Sequence, residues 1–369
     1  MRKNLPLAAV LLAWLAGCGG HGFDETPSTP VSYAKRCGLP EADQEPNRID
    51  APTGPRCIGA AEYVLTDHER EEPFTETPDD RRSLQVRVVY PTAAGAEAPR
   101  MPYGNAMMYT ALGLPDGFAA AGHARTGTPL LTDQRAPVIL FSPGLGTSAE
   151  LYAGLTEDLA SHGYVVVTIN HPYISGPTPL PDGRVVAGTL EEGTEEAHAV
   201  VVADELFVLD WLAQRNADRN GPLSGKLDLS RIGAYGHSFG GAAALQLQRT
   251  EARVKAAVDL DGSLYGERDQ PWTKPWMILD TVHIWEGQEI EDLSVKNMWH
   301  NRQGPAVYET LPGICHGDFS DLGWLGKTYN ARHPAAPVEL APDLFCAKDP
   351  AAVQRDVRGK VLAFFRQYL

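Results

Sequence analysis

The stretch GAYGHSFGGAA, residues 233–243, constrains the fold of this chain more than any other feature of its sequence. It places Ser238 between Gly236 and Gly240, after the strand-like run RIGAY and before the helix-like run GAAALQLQR. A serine in such a strand–turn–helix unit lies on a strained turn, where flanking side chains would clash. The pattern therefore predicts a nucleophile elbow with an exposed, reactive hydroxyl. The alternative is a glycine-rich turn with a structural role only.

Short apolar runs alternate with amphipathic stretches from residue 137 onward. The stretch 149–163 places leucines four residues apart on one helix face, and 201–214 has a similar apolar face. This alternation predicts one catalytic domain of the α/β class, with a mainly parallel sheet and helices on both faces. An earlier run, 83–90, alternates apolar and polar residues, which predicts a half-exposed strand. The runs predicted as buried strands are 137–141, 164–169, 232–235, 255–260, 276–279 and 306–311.

The N-terminus, MRKNLPLAAVLLAWLAGCGG, has two basic residues, then an apolar run, then small residues. The apolar run is too short to span a bilayer, which predicts a signal peptide over 1–17. Its end, LAGC, resembles the lipobox of bacterial lipoproteins and predicts that Cys18 is lipidated and anchors the protein in the cell envelope. The alternative is a simple secretory signal. Residues 18–58 are then a tether and N-terminal extension, and 59–369 the catalytic domain.

If the chain is exported, its four further cysteines lie in an oxidising compartment. Cys37, Cys57, Cys315 and Cys346 are an even number, which predicts two disulfides in an oxidising compartment. Three connectivities are open, and proximity in the sequence favours Cys37–Cys57 and Cys315–Cys346. The sequence has no CxxC pair, so neither a zinc nor a thiol-redox site is predicted. The net charge of −15 argues against nucleic acid as a partner.

A serine hydroxyl needs a base, and in a strand–elbow–helix fold the partners follow in the order serine, acid, histidine. His316, in the Pro/Gly-rich loop LPGICHGDF, is the predicted base. Two acids follow strand-like runs between Ser238 and His316, namely Asp261 after 255–260 and Asp280 after 276–279. Topology alone leaves both open. Asp259 lies within its strand, where side chains alternate between faces, and is excluded.

The acyl-transfer intermediate of such a serine also needs two backbone N–H donors for its oxyanion. The residue after the nucleophile supplies one of them, which is Phe239 here. The loop after 137–141 reads Ser142-Pro143-Gly144-Leu145-Gly146, and Pro143 has no N–H to donate. The Leu145 amide, with glycine on both sides, is the predicted second donor.

Four motifs in this order resemble the group II platelet-activating-factor acetylhydrolases and their bacterial relatives. The motifs are VILFSPGLG with LYAGLTEDLASHGYVVVTINHP, then GHSFGGAAALQ, AAVDLDG and CHGDFSDL. The resemblance extends from about residue 84 to the C-terminus. It departs at Pro143, where eukaryotic members have histidine, and this departure bears on substrate preference.

The resemblance implies an α/β-hydrolase fold, an ester substrate and no cofactor or metal. It places the acid at Asp261, because members have it in an LD sequence followed by a small residue. The predicted function is hydrolysis of short-acyl or phospholipid-type esters through an acyl-enzyme. The alternatives are a polymer esterase, for polyester or feruloylated polysaccharide, and a non-catalytic binding module. The implied site residues are Ser238, Asp261 and His316 as triad, with the Leu145 and Phe239 amides as oxyanion hole.

The segment 101–131 is rich in methionine and aromatic residues, among them Met107, Met108 and Tyr109. Methionine-rich apolar segments adapt to variable ligands, which suggests a flap over the acyl pocket. Ordinary core packing is the alternative.

Overall fold

The computed structural model describes residues 31–369 except 42–43, 46, 94, 96, 116–117, 132, 191, 267–269, 283, 286–287 and 290–291. Tyr33–Leu369 forms one compact unit. The predicted signal peptide and Cys18 lie outside the described residues. Among the helices that are described, none combines the length and the apolar character that crossing a membrane requires.

A ten-stranded sheet organises the compact unit, in the order β14-β11-β10-β9-β5-β6-β2-β1-β4-β3. The six strands from β14 to β6 are mutually parallel, and β2 joins them antiparallel to β6. Two further strand pairs, β7–β8 and β12–β13, lie outside this sheet. The strands are β1 Cys57–Glu71, β2 Arg81–Thr92, β3 Arg100–Pro102, β4 Ala121–Arg125, β5 Ala136–Ser142, β6 Val165–Asn170, β7 Thr178–Pro179, β8 Val185–Val186, β9 Leu227–His237, β10 Val254–Leu260, β11 Trp276–Asp280, β12 Ile284–Trp285, β13 Gln288–Glu289 and β14 Ala306–Thr310.

Helices cover both faces of the sheet, as the alternating pattern predicts. Alternate residues of the central strands enter different cores: Ile139 packs with α3 and α8, and Leu140 packs with α4 and α5. Short 3₁₀ helices form at Ala149–Tyr152 and His316–Phe319. The α-helices are α1 Tyr33–Cys37, α2 Ala106–Ala111, α3 Ala153–Ser161, α4 Glu195–Ala217, α5 Phe239–Thr250, α6 Leu293–His300, α7 Leu322–Arg332 and α8 Pro350–Tyr368.

Two strands differ from the sequence prediction in their burial. The run 83–90 forms most of β2, but Gln85 and Val89 on its second face are also buried. The prediction of a half-exposed strand was wrong because Val89 packs in the core that includes helix α3. The run 306–311 was predicted as a buried strand, and that was also wrong. It forms the edge strand β14, where Val307 and Tyr308 are each 40% exposed.

The described residues of the segment 33–58, which the sequence analysis assigns to the tether and extension, pack on the sheet domain. Tyr33, Leu39 and Ile49 are buried in the same core as helices α3 and α8. A disulfide joins Cys37 to Cys57 at the start of β1. The compact unit therefore begins at Tyr33, before the predicted boundary at residue 59.

Most of the described apolar residues in the segment 101–131 pack in the core rather than forming a flap. Met108, Tyr109 and Leu114 are buried in the core shared with α3 and α8. Phe118 stacks edge-on against Tyr329 of α7. The flap interpretation was wrong because none of the described residues of this segment lines the cleft at Ser238, although Met107 is 46% exposed.

A group of buried charged side chains lies between strand β2 and helix α4. The Arg82 guanidinium, wholly buried, donates to Asp204 on α4 at 2.7 Å and to Glu72 at 3.0 Å. Arg70 makes a second ion pair with Asp204 at 2.8 Å. Burial by itself would raise the pKa of Asp204, but the charge of Arg82 and a hydrogen bond from His171 hold it below its usual range. The Arg82 charge therefore connects β2 to α4 through the fully buried carboxylate of Asp204.

We expect Arg82→Met to destabilise the fold by about 3–5 kcal/mol, because it leaves buried carboxylates without their main cation. The free energy of unfolding in urea measures this effect. Arg81→Met is the matched control, since Arg81 is partly exposed and lies 3.9 Å from its acidic partners. The control should change stability by no more than about 0.5 kcal/mol. Equal effects of the two substitutions would contradict this account of the buried cluster.

Candidate active site

The serine turn has the backbone that the sequence predicts. Ser238 follows β9 and begins α5, with φ 55° and ψ −124°, a conformation that costs energy for any residue with a side chain. The turn is compressed on both sides. A Cβ on Gly240 would overlap the carbonyl of Ser142 on β5, and a Cβ on Gly236 would overlap the backbone of Gly240. Glycine at both flanking positions is therefore a steric requirement of this turn.

The registers of the central strands align the residues around this turn. Ser142 is opposite Gly236, and Leu260 is opposite His237, so β5, β9 and β10 end at the same level. Ligands bind beyond the carboxyl ends of the strands in open parallel sheets. The predicted site residues all follow such strand ends.

Asp261 follows β10 and is the carboxylate that contacts His316. Its Oδ2 lies 2.5 Å from His316 Nδ1, and the backbone N–H and hydroxyl of Thr281 donate to its two oxygens at 2.6 and 3.0 Å. Burial alone would raise the pKa of Asp261, but the hydrogen bonds, that from His316 first, hold it below its usual range. Asp261 is thus an ionised, oriented acceptor for the histidine ring.

Asp280, the second acid that the sequence left open, lies beside this pair in a different role. Its Oδ2 accepts from the Tyr308 hydroxyl at 2.9 Å, and its Oδ1 accepts from the Thr281 N–H at 3.0 Å. The geometry therefore favours Asp261 as the partner of His316. Topology could not distinguish the two because β10 and β11 are neighbours and end together.

His237, the residue before the serine, holds the backbone of His316. Its Nε2 lies 2.9 Å from the His316 carbonyl, which can only accept, so Nε2 bears the proton. Its Nδ1 then accepts from the Tyr152 hydroxyl at 2.7 Å. Burial and the neighbouring His316 lower the pKa of His237 to about 3, which keeps the ring neutral. Sequence reasoning missed this role, although His237 lies inside the elbow motif.

A disulfide and a buried carboxylate fix the loop that contains His316. Cys315 is bridged to Cys346, as proximity in the sequence favours, and the bridge spans 31 residues. Asp318 Oδ2 accepts the backbone N–H groups of Cys315, Cys346 and Ala347 at 2.9–3.1 Å. These two cysteines and Asp318 could form a metal-ligand set, but both sulfurs are in the bridge and the carboxylate is engaged. The disulfide and the Asp318 carboxylate therefore restrict the position of the loop that contains His316.

An open cleft of about 700 Å³ lies over these groups and includes all five residues predicted from the sequence. Within the described part of the chain, the N–H groups of Leu145 and Phe239 donate no hydrogen bond. Two amides at one end of the cleft are thus available to an oxyanion. The lining residues are Leu145, Gly193, Ser238, Phe239, Asp261, Ser263, Tyr265, Thr281, Val282, Cys315, His316 and Asp343.

A strained serine turn and an acid–histidine pair above a mainly parallel sheet define an α/β-hydrolase. Sequence comparison identifies the family within this class. The PET hydrolase-like family matches residues 82–273, more than half of the chain, and the chain belongs to this family. The isoform II family of platelet-activating factor acetylhydrolase matches residues 216–335. This second match confirms the resemblance that the four motifs indicate.

Individual relatives are also named as esterases or hydrolases. A probable 1-alkyl-2-acetylglycerophosphocholine esterase of Arthroderma benhamiae is 31% identical over 54% of this chain and 44% of its own. A bis(hydroxyethyl) terephthalate hydrolase of Streptomyces coelicolor is 27% identical over 55% of each. The chain thus spans about half the length of these curated relatives. The structure of a ferulic acid esterase from Streptomyces cinnamoneus covers 88% of this chain and 93% of its own, with a TM-score of 0.73 and 26% identity.

The contacts of the two acids predict different effects of substitution. Asp261→Asn should lower kcat by about ten-thousand-fold, because an amide cannot hold the histidine in the required tautomer. Asp280→Asn is the matched control and should keep most of the activity, since Asp280 contacts Asp261 rather than the His316 ring and an amide can keep that hydrogen bond. Ester hydrolysis by the two purified variants measures the difference. A larger loss in Asp280→Asn would assign the acid to Asp280.

The bridge beside His316 predicts a coupled loss of stability and activity. Replacing Cys315 and Cys346 by serine should destabilise the protein by about 3–4 kcal/mol in the chain-entropy model, and kcat should fall because His316 is adjacent. The matched control replaces Cys37 and Cys57, far from the histidine loop in the sequence. The control should lower the melting temperature but leave kcat near the wild-type value. A fall in kcat as large as that of the first variant would contradict a specific role of the Cys315–Cys346 bridge.

Proposed function

We propose that the chain is a serine carboxylic-ester hydrolase that works through an acyl-enzyme. One observation supports this most directly: Ser238 on its strained turn and the His316–Asp261 pair line the same open cleft. The names of the matched families and relatives support the same class of reaction.

The proton positions in the cleft support a defined sequence of steps. Because Asp261 accepts at Nδ1 of His316, the Nε2 of this ring is left to take the proton of the Ser238 hydroxyl. The serine oxygen attacks the ester carbonyl, and the amides of Leu145 and Phe239 stabilise the resulting oxyanion. His316 then protonates the leaving alcohol, the alcohol departs, and the same ring activates the water that releases the acid.

Short-acyl or phospholipid-type esters are the substrate class that we propose first. The second family match and the Arthroderma benhamiae relative, named for an acetylglycerophosphocholine ester, support it. The cleft is open to solvent and has the exposed Val282 at its wall, which suits an ester held on a larger amphiphile.

Aromatic or polymer esters are the second candidate, because the PET hydrolase-like family match covers more of the chain. The similarity to the ferulic acid esterase structure extends over most of both chains. An open cleft of about 700 Å³ would admit a polymer segment as well as a small ester. A panel of acetylated phospholipids, aryl esters and polyester film separates the two substrate classes by kcat/KM.

The nucleophile is tested by Ser238→Ala, which should lower kcat for p-nitrophenyl acetate by about a million-fold. Ser263→Ala is the matched control. Ser263 lines the same cleft, but its hydroxyl donates to Asp292 at 2.6 Å. The control should stay within about threefold of wild type, an effect of less than about 1 kcal/mol on the barrier. Normal hydrolysis by Ser238→Ala would refute the proposed mechanism.

We also propose that the protein is exported and anchored in the bacterial cell envelope through lipidated Cys18. The lipobox-like LAGC sequence and the two disulfides, which persist in oxidising compartments, support this localisation. Cys18→Ala should move the protein from the membrane fraction to the soluble fraction. Fractionation followed by immunoblotting measures the change, and mass spectrometry of the N-terminal peptide detects the acyl groups. An unmodified Cys18 in the mature wild-type protein would overturn the anchor.

A further inference from the structure

A chain of hydrogen bonds connects almost fully buried side chains next to the oxyanion loop. By this term we mean residues 143–147, which include the Leu145 amide. Glu205 Oε1 lies 2.7 Å from Ser142 Oγ, and the same Oγ lies 3.1 Å from His171 Nε2. His171 Nδ1 lies 2.9 Å from Asp204 Oδ2, and Asp204 is paired with Arg82. We call these five residues the buried relay. None of them lines the cleft.

The protons along the relay have one consistent arrangement when His171 is neutral. Asp204 is ionised beside Arg82 and accepts the Nδ1–H of His171, so Nε2 of this ring is an acceptor. The Ser142 hydroxyl therefore donates to His171, and its lone pair accepts from Glu205. Glu205 can donate only as the protonated acid. Within the described part of the chain its other oxygen, Oε2, has no hydrogen-bond partner, as suits the carbonyl oxygen of a neutral acid better than a buried carboxylate.

The electrostatics of the relay agree with this arrangement. Burial and the like charge of Asp204 raise the pKa of Glu205 to about 8, although an ionised Glu205 would accept a hydrogen bond from the Ser142 hydroxyl. Burial lowers the pKa of His171, although its hydrogen bond to Asp204 opposes this. The charged groups that face the relay from other elements are Arg82 on β2, Arg70 on β1 and Glu72 beside them.

Two residues of the buried relay, Ser142 and His171, are connected to the two ends of the oxyanion loop. Ser142 is the last residue of β5 and directly precedes Pro143-Gly144-Leu145. His171 begins a turn that is bonded to the far side of the loop. The Gly146 N–H donates to the Ile174 carbonyl at 2.8 Å, and the Gly176 N–H donates to the Thr147 carbonyl at 2.9 Å. The position of the Leu145 amide is therefore set by the strand end and by the His171 turn together.

We propose that Glu205, held as the neutral acid, is a positioning residue for the oxyanion loop and that its ionisation sets the alkaline limit of the enzyme. This inference rests on the proposed hydrolase function. An ionised Glu205 would accept the Ser142 proton, and the Ser142 and His171 lone pairs would then face each other at 3.1 Å. It would also place a second negative charge beside Asp204 in the interior. Both effects favour displacement of the loop, and with it the Leu145 amide.

The pH dependence of kcat tests the proposal with p-nitrophenyl acetate, corrected for spontaneous hydrolysis. Wild-type kcat should fall about tenfold between pH 7 and pH 9.5 with little change in KM, because an oxyanion donor acts in the transition state. Glu205→Gln has an amide that donates to Ser142 at every pH, so its kcat should stay level over this range. A fall at the same pH in Glu205→Gln would overturn the proposal.

Glu157→Gln is the matched control, because Glu157 is another buried glutamate and lies outside the relay. Burial would raise the pKa of Glu157, but hydrogen bonds from His123 and its backbone hold it below the usual range. This variant should keep the wild-type fall in kcat at high pH. A level profile in Glu157→Gln would show that the alkaline limit does not belong to Glu205.

Ser142→Ala tests the same connection without a change of charge. It removes the hydroxyl that joins Glu205 to His171 and should lower kcat at pH 7 about tenfold while KM stays near the wild-type value. An unchanged kcat would overturn the role of the relay in positioning the loop.

Melting temperature against pH tests the protonation state without any substrate. The folded protein holds a proton on Glu205 up to about pH 8, whereas the unfolded chain releases it near the ordinary carboxyl pKa. The contribution of this proton to stability is therefore complete below the unfolded-state pKa and is lost progressively as pH rises from there to about 8. Between pH 5 and pH 9 the wild-type melting temperature should fall about 5 °C further than that of Glu205→Gln.

The two measurements separate the inference from the function on which it rests. Equal pH dependence of the melting temperatures would overturn the protonated state of Glu205, whatever the activity. Absence of hydrolysis by the wild type at every pH, with the difference in melting temperature intact, would reject the hydrolase function and the catalytic consequence of the relay, and would leave the protonated glutamate established.

Discussion

The close approach of the Gly240 backbone to the Ser142 carbonyl is the contact on which the site depends. It brings the start of α5 against the end of β5, and only a residue without a side chain fits there. The result is the positive φ of Ser238, which raises the serine above the strand ends. The same contact places the Phe239 amide next to the loop that contains Leu145. The proposed nucleophile and the proposed oxyanion donors therefore depend on one packing constraint.

The histidine side of the cleft is held differently, by polar and covalent contacts on a loop. His316 is fixed through its ring by Asp261, through its carbonyl by His237, and through its neighbour by the Cys315–Cys346 bridge. Phe319 anchors this loop in the core, and the hydrogen bonds and the disulfide fix the orientation of His316 itself. The serine turn and the histidine loop lie over the ends of β5, β9 and β10. The registers of these strands place their ends at the same level.

The sequence predicted the features that depend on local pattern. The alternation of apolar runs predicted the parallel sheet, and the glycines around Ser238 predicted the turn. Burial of β2 and exposure of β14 depended on what covers each face, which no single strand reports. Topology left Asp261 and Asp280 both open, and only the family resemblance pointed to Asp261, which is the carboxylate that contacts His316. Roles such as that of Glu205 arise from contacts between residues distant in the chain, so the helix pattern over 201–214 gave no sign of its partner Ser142.

The central claim is that the strained turn makes Ser238 a nucleophile, and covalent labelling tests it most directly. The folded protein would be treated with a fluorophosphonate, digested, and mapped by mass spectrometry. The account predicts one phosphonyl group per chain, on Ser238, and none after the protein is unfolded before treatment, because the reactivity depends on the folded site. An unlabelled native protein, or a label on another residue, would contradict it.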